Sequence, residues 1–264
     1  MSRPRRPHAT AGDIGRFLEP LAGRSTRQGW LERGLRGLIG AGCRIVDWQL
    51  EVEGLSDLPR TPGRRPAAGC IVAPAPHRAW VEPFLLAWAW PGNAARLVWL
   101  ADGRTVTRSW WRKRLLPRMG IIPIAREAGG PQGYAELAAR ALRAGAAVVV
   151  FPEVGPASEP DRTRRISAGF AYLARYAGAP VIPVVIGGTH RIARGSRYSL
   201  QVLPPLDAGP PDPDAFRPGG REQAHALREQ YAQSVNARLP DHTARADRRA
   251  PEQERWTWLA RLFS

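Results

Sequence analysis

Short apolar runs that alternate with helix-forming segments constrain the fold of this chain more than any other feature. The apolar runs cover residues 69–74, 96–101, 121–125, 146–151, 180–186 and 198–203. Segments with helical character lie between them, at residues 83–90, 109–119, 134–144 and 167–176. This alternation predicts an α/β fold, with a central, mostly parallel or mixed sheet flanked by helices. Catalytic residues are then expected in the crevice at the strand ends.

The flanking segments suggest a division into three regions. Residues 1–25 are predicted to be a flexible basic N-terminus, residues 26–240 an α/β domain, and residues 241–264 a basic, aromatic tail. Within the domain, residues 26–48 have apolar side chains at helical spacing with arginines between them. A basic amphipathic helix of this kind can lie on a bilayer or pack on its own domain with a solvated basic face.

The formal net charge of +16 indicates anionic partners. Phospholipid surfaces, phosphorylated substrates and nucleic acid all fit that description. Cys43 and Cys70 form no disulfide framework and are expected to be buried thiols in a reducing compartment. The sequence contains no uncharged apolar stretch of about 18 residues, so no membrane-spanning helix is expected. No secretory signal is recognised either.

A histidine and a carboxylate lie five residues apart after the first apolar run, at His77 and Glu82. Five residues of helix turn a side chain by about 140°, so the two would not share a face of one continuous helix. Pro83 suits the first helical position and disfavours helical geometry in the residue before it. We therefore predict a helix from Pro83, with Glu82 at its N-cap and His77 in the preceding loop. A histidine oriented by a carboxylate can act as a general base near neutral pH, whereas the plainer alternative is a surface histidine beside an acid by chance.

Three further segments follow the histidine segment in order. They are residues 120–126, an apolar run that ends in Arg126; residues 148–155, a strand-like run that contains Phe151, Pro152 and Glu153; and residues 180–188, an apolar strand around Pro183. Together the four segments resemble the motifs of the glycerolipid acyltransferases related to 1-acylglycerol-3-phosphate acyltransferase. Those motifs are His-x4-Asp, Gly-x5-Arg, Phe-Pro-Glu-Gly and an apolar strand with a central proline. The resemblance spans residues 30–203.

The resemblance implies roles for individual residues. His77 is expected to be the general base and Glu82 the group that fixes its tautomer, so that the two form a catalytic pair. Arg126 is expected to bind the phosphate of the acceptor. A bidentate arginine–phosphate pair fits that role, although a solvated surface arginine is the alternative.

The remaining site residues come from the segment with the Phe-Pro-Glu motif and from the histidine loop. The substrate site is expected to include Phe151, Pro152 and Glu153. Glu153 is expected to bind the glycerol hydroxyl of the acceptor; the alternative is that Glu153 is only a carboxylate at the end of a strand. Arg78 is an additional candidate for contact with a phosphate or with coenzyme A. No metal is expected, and no cofactor apart from acyl-CoA or acyl-carrier protein as co-substrate.

The family resemblance also implies a function and a location. We expect a peripheral or monotopic enzyme of phospholipid biosynthesis on the cytoplasmic side of a membrane, where it would acylate a lysophospholipid, most specifically lysophosphatidic acid. The resemblance also favours the interpretation of residues 26–48 as a membrane-facing helix on an anionic phospholipid surface. The aromatic residues of the tail could likewise anchor at a lipid interface or pack on the core.

Three departures from the family motifs keep other functions open. Glu82 stands where the family usually has Asp, Pro76 where it usually has Asn, and Val154 where it has Gly. An acyltransferase for another lyso-lipid acceptor, or a lipid-binding relative without catalysis, would account for such changes. A nucleic-acid binder would account for the charge, but the sequence contains no recognised nucleic-acid motif, and no nucleic-acid partner is expected.

Overall fold

The computed structural model describes residues 30–102, 120–124, 130–154 and 161–248. Its helices are α1 Trp30–Ile45, α2 Glu82–Ala89, α3 Gly130–Arg143, α4 Gly169–Ala177, α5 Arg221–Asn236 and α6 Leu239–Arg248. Its strands are β1 Gln49–Glu53, β2 Ile71–Ala75, β3 Leu97–Asp102, β4 Ile121–Ile124, β5 Ala147–Val149, β6 Glu153–Val154, β7 Arg165–Ile166, β8 Val181–Gly187 and β9 Arg197–Val202. Short 3-10 turns lie at Leu55–Asp57 and Pro218–Gly220.

Seven strands form one mixed sheet in the order β1-β9-β8-β2-β5-β3-β4. All neighbouring pairs are parallel except β8 and β9, which are antiparallel. The predicted α/β fold with a mostly parallel or mixed sheet is therefore confirmed. β1 lies at one edge, which fits its alternation of polar and apolar residues. β6 and β7 form a separate antiparallel hairpin, which no pattern in the sequence predicts.

Helices cover both faces of the sheet, and this explains the continuous apolar strands. On β2, Ile71 and Ala73 pack into a core formed with α3, α4 and α5, whereas Val72 packs into a second core on the α2 side. Successive side chains of a strand point to opposite faces, so a strand covered on both sides has no polar positions. Tyr231 of α5 extends this packing, because its buried hydroxyl donates to the main-chain carbonyl of Ala73 at 3.1 Å.

Helix α1 packs against α2, and Gly40 lies at this contact. A Cβ placed on Gly40 would lie 3.4 Å from Trp88 Nε1, so glycine permits the close approach of the two helices there. Leu38 and Ile45 lie away from this contact and are 72% and 78% exposed. Among the helices that the structure describes, none combines the length and the apolar character that a bilayer crossing requires.

The described part of the predicted tail belongs to a helix. Residues 241–248 continue α6, which packs against β8 and β9 and buries His242 and Thr243. The predicted helix at 109–119, the N-terminus at 1–25 and residues 249–264 lie outside the described residues.

Candidate active site

The parallel strands bring two of the sequence motifs to the same edge of the sheet. β2 and β5 are hydrogen-bonded neighbours that run in the same direction. His77 follows β2 after Pro76, and Phe151 follows β5 by two residues. The peptide bond before Pro76 is cis. Because both loops leave the sheet at the carboxyl ends of adjacent strands, residues about 75 positions apart in sequence come into contact.

His77 and Glu82 form the pair that the sequence predicts. His77 Nδ1 lies 2.8 Å from Glu82 Oε2, a hydrogen-bond distance. The Glu82 side chain is fully buried, whereas that of His77 is 40% exposed. A carboxylate only accepts hydrogen bonds, so the bond assigns the proton to Nδ1 and leaves the Nε2 lone pair available. Among the described residues, Nε2 has no hydrogen-bond partner.

The main chain of the histidine loop holds the Glu82 carboxylate in place. Arg78 N–H donates to Oε1 at 2.9 Å and to Oε2 at 3.0 Å, and Ala79 N–H donates to Oε1 at 2.9 Å. α2 begins at Glu82, one residue earlier than predicted, because the Val81 carbonyl already accepts bonds from Phe84 and Leu85. Glu82 is therefore a first-turn residue, and the turn over residues 79–81 returns its side chain to the loop.

An aromatic ring supports the imidazole. The Phe151 ring lies beside that of His77, with 4.1 Å between ring centroids and 30° between ring planes. Trp99 of β3 stacks with Phe151 at 6.5 Å. These contacts restrict rotation of the histidine side chain while its outer edge stays exposed. Pro152, which follows Phe151, is buried, and its carbonyl accepts the Ser167 N–H at 2.8 Å.

Glu153 lies beneath the histidine loop at the start of β6. Its side chain is fully buried. One oxygen, Oε2, accepts the His77 main-chain N–H at 3.0 Å, and the other, Oε1, accepts the Arg164 N–H at 3.2 Å. The Arg164 Nε atom lies 4.0 Å from Oε2. Glu153 thus contacts the main chain of His77 and not its imidazole.

Arg78 contributes a cation beside the two carboxylates. Its Nη2 donates to the main-chain carbonyl of Arg162. Burial lowers the pKa of the Arg78 guanidinium, and nearby Glu153 offsets part of that shift. Arginine stays charged under all ordinary conditions, so the site keeps a positive charge close to His77.

Both cysteines are buried, and burial raises the pKa of each thiol. Cys70 directly precedes β2 in the sequence and is buried, and desolvation raises the pKa of its thiol to about 12. A thiol with such a pKa is almost entirely protonated at neutral pH and reacts poorly. Within the described part of the chain, no group of three or more His, Cys, Asp or Glu residues has the arrangement of a metal site.

Most of the predicted site residues are brought together. Five of them contact one another directly or through one neighbour: His77, Glu82, Arg78, Phe151 and Glu153. Arg126 lies outside the described residues, although β4, which ends at Ile124, runs parallel to the strands of the site. Arg164 contacts Glu153 in the site, and no sequence motif predicts it. It lies in an arginine-rich stretch, and no local pattern distinguishes it from its neighbours.

Comparison with known proteins shows the family of the chain and a solved structure with a similar fold. The acyltransferase family model matches residues 49–187, just over half of the chain. Among solved structures, the chain is similar to the 1-acyl-sn-glycerophosphate (LPA) acyltransferase PlsC from Thermotoga maritima. The TM-score is 0.56 and the sequence identity is 19%, with 86% of this chain and 87% of that chain covered. No curated protein matches the chain in a sequence comparison.

Proposed function

The chain belongs to the acyltransferase family, and we propose that it transfers a fatty acyl group from an acyl thioester to a hydroxyl of a lysophospholipid. The acceptor we propose is 1-acylglycerol-3-phosphate, which would give phosphatidic acid. The observation that carries this proposal is the hydrogen bond between His77 Nδ1 and the buried Glu82 carboxylate, which leaves Nε2 available at the exposed edge of the ring.

The proposed reaction follows from that geometry. The Nε2 atom of His77 takes the proton of the acceptor hydroxyl while the oxygen attacks the thioester carbonyl. Glu82 stabilises the imidazolium that forms, because its charge is desolvated and only 2.8 Å from Nδ1. When the intermediate collapses, a C–O bond remains and the C–S bond breaks. The imidazolium then gives its proton to the leaving thiolate, so the base is regenerated and no covalent acyl-enzyme is formed.

Positive charge next to the base supports a phosphorylated acceptor. Arg78 adjoins the histidine in sequence and in space, and we propose that it contacts a phosphate of the acceptor or of coenzyme A. Arg126 remains the proposed ligand of the acceptor phosphate, on the family resemblance alone. Acyl-CoA or acyl-carrier protein is the proposed donor. The reaction needs no further cofactor, because both proton transfers are assigned to His77.

We also propose that the enzyme works as a peripheral protein on the cytoplasmic side of a membrane. Leu38 and Ile45 are seven residues apart on α1, so they share a face, and both are largely exposed. Arg44 is exposed next to them. Exposed apolar side chains beside cations fit an interfacial helix on anionic lipid.

Product analysis tests the proposed function. The purified chain is incubated with labelled acyl-CoA and a mixture of lyso-lipids presented in vesicles, and the labelled products are identified. We expect labelled phosphatidic acid as the main product. No labelled lipid from any acceptor, with acyl-CoA or with acyl-carrier protein as donor, would refute acyl transfer to lyso-lipids.

A different lyso-lipid acceptor is the second candidate, and Val154 favours it. This residue replaces the glycine of the family motif, directly follows Glu153, and is 46% exposed. A branched side chain there changes the surface next to the site. The same acceptor mixture distinguishes the two candidates, because the preferred lyso-lipid of the wild type is read directly from the labelled products. If the wild type prefers another lyso-lipid and Val154→Gly shifts the preference towards lysophosphatidate, Val154 determines the selectivity.

A further inference from the structure

We propose that Glu153 is a positioning residue that fixes the main chain of the histidine loop, and that it is not a ligand of the acceptor hydroxyl. The inference rests on the proposed function, since it concerns how the base of that reaction is held. It also departs from the role that the family resemblance implies for this residue.

Burial is the first argument. The Glu153 side chain has no exposed surface, although His77 above it is 40% exposed. A substrate hydroxyl could reach the carboxylate only after the histidine loop or the Arg164 segment had moved away. Both carboxylate oxygens already accept main-chain N–H groups, from His77 and from Arg164.

The pattern of main-chain bonds is the second argument. Three successive N–H groups, those of His77, Arg78 and Ala79, all donate to buried carboxylates. Glu153 takes the first of them and Glu82 takes the other two. Bonds from N–H groups to carboxylates are stronger than bonds between neutral groups, and stronger still when buried. The two glutamates therefore hold the loop from opposite ends, while Glu82 alone contacts the imidazole.

The segment before β7, which contacts Glu153 through Arg164, is itself anchored on α5. The Thr163 N–H and hydroxyl both donate to Asn236 Oδ1 of α5, at 3.1 and 3.0 Å. Next to it, the Arg162 carbonyl accepts a bond from Arg78, which is a second link to the histidine loop. Glu153 thus connects the base to a strand pair fixed on α5. Loss of the connection frees the base to shift, and a displacement of about 1 Å can cost roughly 100-fold in rate.

Two variants of Glu153 separate positioning from substrate binding. Glu153→Met keeps the length of the side chain and removes both acceptors, whereas Glu153→Gln keeps one oxygen for the His77 N–H. We expect kcat to fall about 10- to 100-fold in Glu153→Met and less in Glu153→Gln, with the KM for the acceptor within about twofold of wild type in both. Glu136→Gln is the matched control. Glu136 is exposed on α3 and bonds to Arg143 and Tyr176, so kcat should not change.

Amide hydrogen exchange of His77, measured by NMR, gives a readout that needs no turnover. We expect the His77 amide to exchange at least about tenfold faster in Glu153→Met than in wild type or Glu136→Gln. An unchanged exchange rate overturns the proposal, and so does a rise of more than about tenfold in acceptor KM with kcat retained in Glu153→Gln. If wild type acylates no lyso-lipid, the proposed function fails, and the exchange measurement still decides the role of Glu153.

Discussion

At the scale of single residues, the length of Glu82 matters most. Glutamate is longer than the Asp of the family motif by one methylene, roughly 1.5 Å. The turn at residues 79–81 accommodates that length, since the carboxylate lies 2.8 Å from His77 Nδ1 and also accepts the N–H groups of Arg78 and Ala79. The substitution therefore preserves the geometry that a base needs.

Glu82→Gln removes the charge that stabilises the imidazolium and keeps the shape of the side chain. We expect kcat to fall on the order of 100- to 10 000-fold, as for an orienting carboxylate in other His–carboxylate pairs. Steady-state kinetics measure the fall, and circular dichroism checks that the fold is retained. Glu82→Asp is the companion variant, expected to keep the charge but lose part of the rate because its carboxylate is drawn back. A rate for Glu82→Gln equal to that of wild type would exclude Glu82 as the orienting group.

The sequence reveals contacts between near neighbours better than contacts between distant segments. His77 and Glu82 are five residues apart, and Pro83 constrains the chain between them, so the pair could be predicted. The bond from the His77 N–H to Glu153 joins residues 76 positions apart, and it exists only because β2 and β5 are neighbours in the sheet. A motif alone could not distinguish a carboxylate that binds substrate from one that binds the main chain.

At the scale of elements, helix α6 depends on a buried histidine. His242 Nδ1 lies 2.7 Å from Ser199 Oγ, and Nε2 lies 3.0 Å from Gln201 Oε1. Burial lowers the pKa of His242, and Arg245 lowers it further, while Glu53 and Asp241 oppose the shift and Arg238 adds to it. The neutral imidazole is therefore the form that docks α6 on β9.

We predict that acid weakens the fold through His242. A histidine whose pKa is lowered by folding contributes stability above its unfolded pKa of about 6.5, and this contribution is lost as the pH falls through the folded value. Between pH 7.5 and pH 5, the melting temperature of wild type should thus fall further than that of His242→Gln. The difference should be about 2–4 °C for each kcal/mol of unfolding free energy that the histidine loses. Equal losses in the two proteins, measured by melting at both pH values, would contradict this.

Helix α1 carries the proposed membrane contact. Replacing Leu38 and Ile45 together by Asp should reduce binding to vesicles of anionic phospholipid at least about tenfold. Burying a charged side chain in the lipid interface costs free energy, whereas burying the two apolar side chains is favourable. Flotation of protein with vesicles measures the binding. Replacing Glu136 and Glu229, which are exposed on α3 and α5, by Gln is the control. Undiminished flotation of the Asp variant would remove α1 from the interface.

Sequence periodicity predicts most strands of the large sheet but not the smaller elements. The inner strands β2 and β8 are buried along their whole length, so their apolar runs are visible in the sequence. The hairpin of β6 and β7 has two residues in each strand, too few for a pattern. Among the side chains of α6 that the structure describes, Leu239, His242 and Thr243 are buried, and the segment has too few apolar residues for its periodicity to predict a helix.

At the scale of the whole molecule, the charge of +16 predicts a strong dependence on salt. Attraction to an anionic surface is screened over about 8–10 Å at physiological ionic strength and over about 3 Å at 1 M. Vesicle binding should accordingly fall steeply between about 0.05 and 0.5 M NaCl for anionic vesicles and change little for neutral ones. Binding to anionic vesicles that does not respond to salt would contradict an electrostatic contribution.

At the same scale, the proposed function depends above all on His77 acting as the base of an acyl transfer. The most direct measurement is the rate of labelled phosphatidic acid formation from acyl-CoA and lysophosphatidate by His77→Ala. His225→Ala is the control, a half-buried histidine of α5 beside Tyr172. We expect a loss of at least about 1000-fold for His77→Ala and a normal rate for His225→Ala. A rate for His77→Ala within a few-fold of wild type would contradict this expectation.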